Sequence, residues 1–585
     1  MNNQTTLRDQ AGRDQTAPDL AETDRAADAT AETPAPFGAD SVVPALPAAP
    51  PLPAPSEQLQ AEQSQGEQDQ VERGQVERGQ VERGQAQANP GPAEQAQALP
   101  GPLSLGYSPR PGVYDELVDD QGDLRQSWTE IAGFIADLSP DDWERRWQKG
   151  QQTMREHGVT YNVYGAGDMS GRWRLDPVPM TMDAAEFDTL ADALVQRATL
   201  LDRILRDLLG PQTLLSSGDI PPALVNGHPG YFRSCIDPSM ADRQCLHFYA
   251  ADLARAPDGQ WRVMMDRTEA PSGYGYALEN RQIIGQVFPE LMRSAGVRPI
   301  SRFFRSMRDG LVAAAPRRTD DPRIVLLTPG RGNEAHFEHA FLARHLGCTL
   351  VEADDLTVRG GHVFLKTLQG LQAVDVILRR TDSAFCDPLE LRGDSSLGVA
   401  GLTNAARLGH VAVVNALGAG IVESPGLMPF LPGLCRQLLG EDLRMPSVAT
   451  WWCGQGVEQD TVLAGLDRMV VKPAFPAERG EPVFPRADAG RRERAALTEA
   501  IRQRPDRFIG QEFVSLSTAP TWSTQGLEPR SVMLRMLLCK TPDGWDVLPG
   551  GMVRVAPGRR DRVVSMQRGG GAKDVWVLPA PEVQP

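Results

Sequence analysis

The residues of this chain best suited to chemistry lie in the stretch Asp266-Arg-Thr-Glu-Ala-Pro-Ser-Gly-Tyr-Gly-Tyr-Ala-Leu-Glu-Asn-Arg281, which puts carboxylates at both ends of a glycine-containing loop. Magnesium takes hard oxygen ligands, usually one or two carboxylates with phosphate oxygens and water, and Gly273 and Gly275 let backbone approach an anion closely. Far downstream come Met469-Val-Val-Lys-Pro473, an apolar strand ending in a lysine, and Ile509-Gly-Gln-Glu512, a second strand ending in Gln-Glu. Acids for a metal, glycines and a lysine for phosphate, and a polar strand end for a base are the parts of a nucleotide site.

On the strand leading to Asp266, residues of like parity share a face, so Arg262 and Asp266 are expected to point the same way. Arg262 would then hold a terminal phosphate while Asp266 and Glu279 hold magnesium; the alternative is a surface ion pair. Lys472 ends a buried strand at a cleft, poised for phosphate, or it snorkels to solvent. Backbone at Gln511 and Glu512 would read an adenine edge and the Glu512 carboxylate a ribose hydroxyl. Arg530, Arg535 and Arg554 either share that cleft or decorate an exposed hairpin. The loop Gly569-Gly570-Gly571 with Lys573 offers backbone amides to an oxyanion or phosphate, or is a flexible turn. His336 and His339 sit at i, i+3 on a helical run without a third ligand, which favours a helix-surface explanation. HExxH, GxSxG and GxxxxGK[ST] are absent, so hydrolase-triad and P-loop chemistry have little support.

These residues need elements to position them. A long amphipathic helix is expected from Asp183, whose spacing to Glu186 suits a capping box. Phe187, Leu190, Leu194, Ala198, Leu201, Leu205 and Leu208 form its core stripe until Gly210-Pro211 stops it. Leu246 to Arg255 and Gln260 to Asp266 flank Ala-Pro-Asp-Gly and read as a hairpin. A βαβ-type unit follows: the strand within Arg323 to Gly330, a helix from Glu334 to Leu346, a strand at Cys348 to Glu352, a Gly360-Gly361 hairpin and a strand from Val374 to Arg380. A further hairpin from Ser531 to Arg554 turns at Pro542-Asp-Gly544. The units divide as residues 1–106, 107–300, 301–465 and 466–585.

Residues 1–106 are poor in aromatics and rich in Gln, Glu, Ala, Pro and Gly, and Gln-Val-Glu-Arg-Gly occurs three times in succession from Gln70 to Gly84. Such a segment is expected to be a disordered low-complexity tail, or a docking tail. Across all 585 residues the net charge is −16, which disfavours non-specific binding to nucleic acid or to an anionic membrane surface. Seven cysteines form no CxxC pair, and the N-terminus lacks the apolar run of a signal peptide, so a reducing, cytoplasmic setting is expected.

Asp266 to Arg281, Ser447-Val-Ala-Thr-Trp-Trp-Cys453, Val471-Lys-Pro473, Leu548-Pro-Gly-Gly-Met-Val-Arg554 and Gln567 to Asp574 together resemble the circularly permuted ATP-grasp type 2 proteins of bacteria, over residues 150 to 578. Ordinary ATP-grasp enzymes place the lysine strand and adenine hinge before the metal-binding acids; here the acids come first. The resemblance implies an α+β fold, a permuted ATP-grasp with a βαβ-type pre-ATP-grasp unit, related to glutathionylspermidine synthetase. It implies ATP and Mg as cofactors, and ligation of a carboxylate to an amine through an acyl phosphate. On that basis Asp266, Glu279 and Asn280 are metal ligands. Lys472, Gln511, Glu512, Gly273, Gly275 and Gly570 contact the nucleotide, and Arg262, Arg554 and Lys573 act in catalysis. Two departures stand out. Glu279 and Asn280 are adjacent where the family commonly has Glu-x-Asn, and no glycine-rich phosphate lid follows Lys472, so Arg479 or the Gly569 loop is the substitute. A separate helical alpha-E partner is implied by the resemblance alone. The alternatives are a nucleotide-binding scaffold without catalysis and an ATP-dependent kinase.

Overall fold

The computed structural model describes residues 106–161, 171, 173–317, 319, 321–475 and 490–579. The Gln-Val-Glu-Arg-Gly repeats of the tail and Arg479 lie outside the described residues.

The largest sheet has eight strands, in the order Met180–Asp183, Gly571–Leu578, Met552–Val555, Gly526–Thr541, Phe248–Arg255 and Trp261–Arg267, with Thr518–Ser523 and Gly544–Val547 also paired to Gly526–Thr541. Both expected hairpins form: Phe248–Arg255 runs antiparallel to Trp261–Arg267, and Gly526–Thr541 turns back onto Gly544–Val547. The sheet therefore interleaves strands from the 107–300 and 466–585 segments. Both faces of its central strands are covered, and they are largely apolar apart from Asp252, Arg535 and Arg554. The helix Ala184–Leu209 covers one face with its expected stripe fully buried, and each Leu or Phe of the stripe contributes about 1.5–3 kcal/mol. The capping box does not form: the Asp183 side chain accepts no cap hydrogen bond, and Glu186 instead accepts from Trp261 Nε1 at 2.8 Å and pairs with Arg255. On the opposite face Tyr274, Phe303 and Met307, from the helices Tyr274–Val287 and Ser301–Ala313, pack on Phe248, Leu537 and Cys539.

The expected βαβ unit is a four-stranded parallel sheet, ordered Ala412–Val414, Val376–Arg379, Ile324–Leu327, Thr349–Val351, with His336–Leu346 as a crossover helix. A three-stranded antiparallel sheet, Leu356–Arg359, His362–Thr367 and Gly370–Ala373, is appended, turning at Gly360 and Gly361 where φ is +57° and +78°. Ligands of parallel sheets bind outside the carboxyl ends of the strands. Here those ends lead into Thr328, Arg380–Ser383 and Asn415, at the edge of the main cleft.

A fourth sheet, Thr450–Trp452, Phe508–Glu512 and Met469–Pro473, is antiparallel throughout and packs over Cys453, Val462, Val471 and Ile501. Its lead-in strand is tied to the main sheet at Val263, whose N–H donates to Pro446 O and whose carbonyl accepts from Val448 N. Among the described residues no helix is long and apolar enough to cross a membrane.

Candidate functional site

A β-bulge decides what the Trp261–Arg267 strand presents. Asp266 pairs with Ala251, Met265 with Asp252, and Val263 with Leu253, so Met264 is an extra residue and the parity of the strand changes there. Arg262 and Asp266 consequently fall on opposite faces, which corrects the expectation that they act side by side. Arg262 is held by Asp258 at 2.6 and 3.2 Å on the hairpin surface. Asp266, 2% exposed, receives Arg197 Nε and Nη2 at 2.7 Å each and the Tyr249 hydroxyl at 2.6 Å. Both its oxygens are bound by protein, and Arg197 continues to Ser447 Oγ and Met445 O. The geometry assigns Asp266 to holding the long helix on the sheet rather than to a metal.

The glycine-rich segment is largely helical. Glu279 and Asn280 lie within Tyr274–Val287, both fully buried. Glu279 Oε1 meets His157 Nδ1 at 2.6 Å and Asn280 Oδ1 accepts from Trp173 Nε1 at 2.8 Å, while Glu279 Oε2 and Asn280 Nδ2 have no hydrogen-bond partner among the described residues. A buried polar atom without a partner is a place a ligand completes. The amides of Gly273 and Gly275 donate to Glu338 Oε1, at 2.6 and 3.0 Å, not to an open anion site. Gly273 is still required: its φ is +121°, and a Cβ there would lie 3.3 Å from Arg535 Cδ.

The second glycine loop is also structural. The Gly570 amide bonds Ser565 O, and a Cβ would come within 2.7 Å of two carbonyl oxygens, those of Ser565 and Val555. Lys573 is fully buried on the Gly571–Leu578 strand, donating to Asp176 Oδ1, Val178 O and Pro520 O at 2.6–2.9 Å. A lysine with three protein acceptors holds the sheet edge together and has no donor left for a ligand.

A charged cluster lies where the two sheets and the parallel unit meet. Asp252, fully buried, receives Arg535 Nε and Nη2 at 2.7 and 2.9 Å, Arg554 Nη2 at 2.9 Å and Arg267 Nε at 3.3 Å. Burial alone would push its carboxyl up, but the three guanidiniums hold it well below the usual range. One carboxylate against three arginines leaves positive charge unbalanced. Arg554 shows the consequence: burial and the charges of Arg535 and Arg267 outweigh Asp252 and bring its guanidinium down to about 10, and its Nε has no partner among the described residues. These arginines line a cleft of about 1380 Å³ with the acids Glu269, Glu423, Glu334 and Asp382 and, at one end, Trp173 stacked on Tyr276 at 4.1 Å. Glu423 Oε1 accepts the amides of Thr268 and Glu269, and burial raises its carboxyl even beside Arg267. Glu269 is fixed by Arg379, Ser383 N and Gly420 N.

Lys472 Nζ donates to Gln511 Oε1 at 2.6 Å, and Gln511 Nε2 donates to Thr450 Oγ1 at 3.1 Å, so one amide side chain orients the lysine. Burial, and then the charge of Arg267, push the Lys472 ammonium down to about 8. Glu512 is exposed at the strand end.

The model of the circularly permuted ATP-grasp type 2 family matches residues 179–556. The chain belongs to that family. Its relatives include uncharacterized proteins of Mycobacterium tuberculosis and Mycobacterium bovis, 38% identical over 480 residues, covering 80% of this chain and 54% of theirs. The chain thus spans about half the length of these relatives. An uncharacterized protein of Synechocystis is 35% identical over 468 residues, covering 80% of this chain and 97% of its own. Among solved structures, a glutathione synthetase-like effector of Globodera pallida in its apo form matches with TM-score 0.50 and 11% identity, covering 76% of this chain and 98% of that one. That likeness concerns the fold.

Of the residues around this cleft in the permuted ATP-grasp, the sequence pointed to Arg535, Arg554, Lys472 and Gln511, and not to Asp252, Arg267, Glu269 and Glu423. Arg267 stands next to Asp266 in the quoted motif, but unbroken alternation puts it on the face away from Arg262, whereas the bulge at Met264 puts the two on one face. Asp252 is the one acid in a strand that is otherwise free of charge up to Arg255, where an isolated acid is itself a signal. Glu423 carried no local signal.

Proposed function

We propose that the chain is an ATP- and Mg2+-dependent ligase that joins a carboxylate to an amine in the Arg267–Arg535–Arg554 cleft. The observation that supports this most directly is the three guanidiniums sharing Asp252, with Lys472 beside Arg267, a concentration of cations that favours an anion. Phosphate oxygens and a substrate carboxylate are the anions such a site takes, and arginine suits both through its planar fork.

The donor set suits magnesium. Among the described residues no three His, Cys, Asp or Glu side chains converge as a closed metal cage, and Mg2+ prefers one or two carboxylates with phosphate oxygens and water. Glu279, with its unpartnered Oε2, and the adjacent Asn280 would hold it, and it would supply charge neutralisation across the phosphates. Lys472 and Gln511, with Glu512 at the strand end, would serve the nucleotide half. Arg535 and Arg554 would orient the carboxylate. Its oxygen takes the terminal phosphoryl group as the bond to ADP breaks; the amine nitrogen then attacks the acyl carbon, the C–N bond forms, phosphate leaves and the amine proton goes to solvent.

The test is transfer of 18O from a labelled carboxylate into released phosphate, across a panel of acids and amines. Label in phosphate, with ADP release dependent on both Mg2+ and an amine, is expected. ADP release without label in phosphate indicates a kinase, and tight ATP binding with no turnover indicates a scaffold. Glu279→Gln is expected to raise the Mg2+ concentration needed for nucleotide binding about tenfold, the loss of roughly 1.4 kcal/mol at one ligand.

A further inference from the structure

A second cavity, of about 660 Å³, opens where the segment Arg243–His247 leading into the Phe248–Arg255 strand, the end of the helix Ser301–Ala313, the helix Leu402–Arg407 and the turn after Lys540 come together. It is separate from the arginine cleft and has none of its lining residues. Its walls are mostly apolar, with Met240, Ala313, Ala406, Val411 and Leu417 among them. A largely apolar pocket of this size with a few polar groups suits a small organic molecule.

The polar groups are biased to one sign. Arg243, Arg407 and Lys540 line the cavity, against one acid, Asp237. Arg407 is paired with Glu390, and Arg243 donates to the carbonyls of Ala406 and Arg407, which close the end of their helix. Asp237 accepts from Ser239 N. Lys540 has no carboxylate within ion-pair distance among the described residues; its Nζ lies 5.9 Å from the centroid of the Trp545 ring, and Asp202 is near enough to feel its charge. His247, beside it, is kept neutral: burial, and to a lesser degree the charge of Lys540, bring its imidazole down to about 4.

The cavity also shares a wall with the cleft. Ala416 and Leu417 face the cavity, and Gly420 and Glu423, a few residues on, face the cleft. Between them Asn415 accepts from the His247 and Phe248 amides through Oδ1 and donates through Nδ2 to Phe248 O and Thr268 O. Thr268 lies between Arg267 and Glu269.

We propose that this cavity is a second ligand site, for a small amphipathic molecule with an apolar body and a single carboxylate or phosphate paired with Lys540. The site stands independently of the proposed ligase reaction.

Its test uses 8-anilinonaphthalene-1-sulfonate, an apolar body with one anionic group, titrated by fluorescence against the full chain. The expected result is one equivalent bound per chain, retained under saturating Mg-ATP and in Arg554→Met, and weakened about tenfold or more in Lys540→Gln and in Ala406→Trp, which fills the cavity. Thermal melting of each variant shows that it is folded; if Ala406→Trp fails to fold, Lys540→Gln decides alone. Displacement of the probe by hexanoate or by hexyl phosphate supports the site and says which anion it prefers. No saturable binding, full competition by Mg-ATP, undiminished binding in Lys540→Gln, or displacement by neither anion overturns it.

Discussion

Asp252 and Asp266 sit on neighbouring strands of one sheet, both buried and both facing arginine, and they do opposite things. Asp266 has a single bidentate guanidinium and one hydroxyl, so charge and hydrogen bonds balance. Asp252 has three guanidiniums, one of which keeps a buried nitrogen without a partner. A balanced buried pair holds the fold together, whereas an unbalanced one holds positive charge ready for an anion that the protein does not supply. The stoichiometry of the ion pair, more than the presence of a buried acid, separates structure from site.

The comparison breaks most visibly at Asp266. Asp266→Asn leaves Arg197 buried without a counter-charge and is expected to lower unfolding free energy by about 3–5 kcal/mol in urea titration; a fully stable variant with lost nucleotide binding would reverse the assignment. At the other centre, Arg554→Met removes a cation that its neighbours already disfavour. It is expected to weaken Mg-ATP binding by about 10- to 100-fold in calorimetry while stability changes by less than about 1 kcal/mol.

Lys472 sharpens the comparison through pH. Phosphate favours the charged ammonium, so Mg-ATP affinity is expected to fall as pH rises through about 8, and to stay flat in Lys472→Arg, whose guanidinium remains charged. Stability moves the other way: the folded value lies below the ordinary 10.5, the unfolded chain binds more protons in between, and the wild type gains stability from about pH 8 to 10.5. The smallest effect is at Arg262. Arg262→Ala removes only a surface pair with Asp258 and is expected to leave both melting temperature and nucleotide affinity unchanged.

Much of the fold was legible because local patterns agreed with it. The stripe from Phe187 to Leu208, the Ala-Pro-Asp-Gly turn and the Gly360-Gly361 turn all formed where periodicity and turn chemistry put them. The expected capping box failed because Glu186 found Trp261 and Arg255, partners far away in sequence. The site was half legible. Lys472 and Gln511 meet because strand pairing places Val470 opposite Gln511 and Lys472 opposite Ile509, so the two polar side chains share a face. Arg262 failed because a bulge is one inserted residue and reverses every parity beyond it.

The sequence by itself determined the family, the order of its motifs and the secondary elements that carry them, since these rest on residue type and on periods of two or 3.6. Only the tertiary structure decided which charges are used up within the protein. Arg197 lies far from Asp266 in the chain, as Asp176 does from Lys573 and Glu338 from Gly273, and each removes a candidate from the site. Pairing of buried charges depends on distance in space, which local sequence does not encode. That pairing leaves Arg267, Arg535 and Arg554 around one carboxylate as the positive charge available to a ligand.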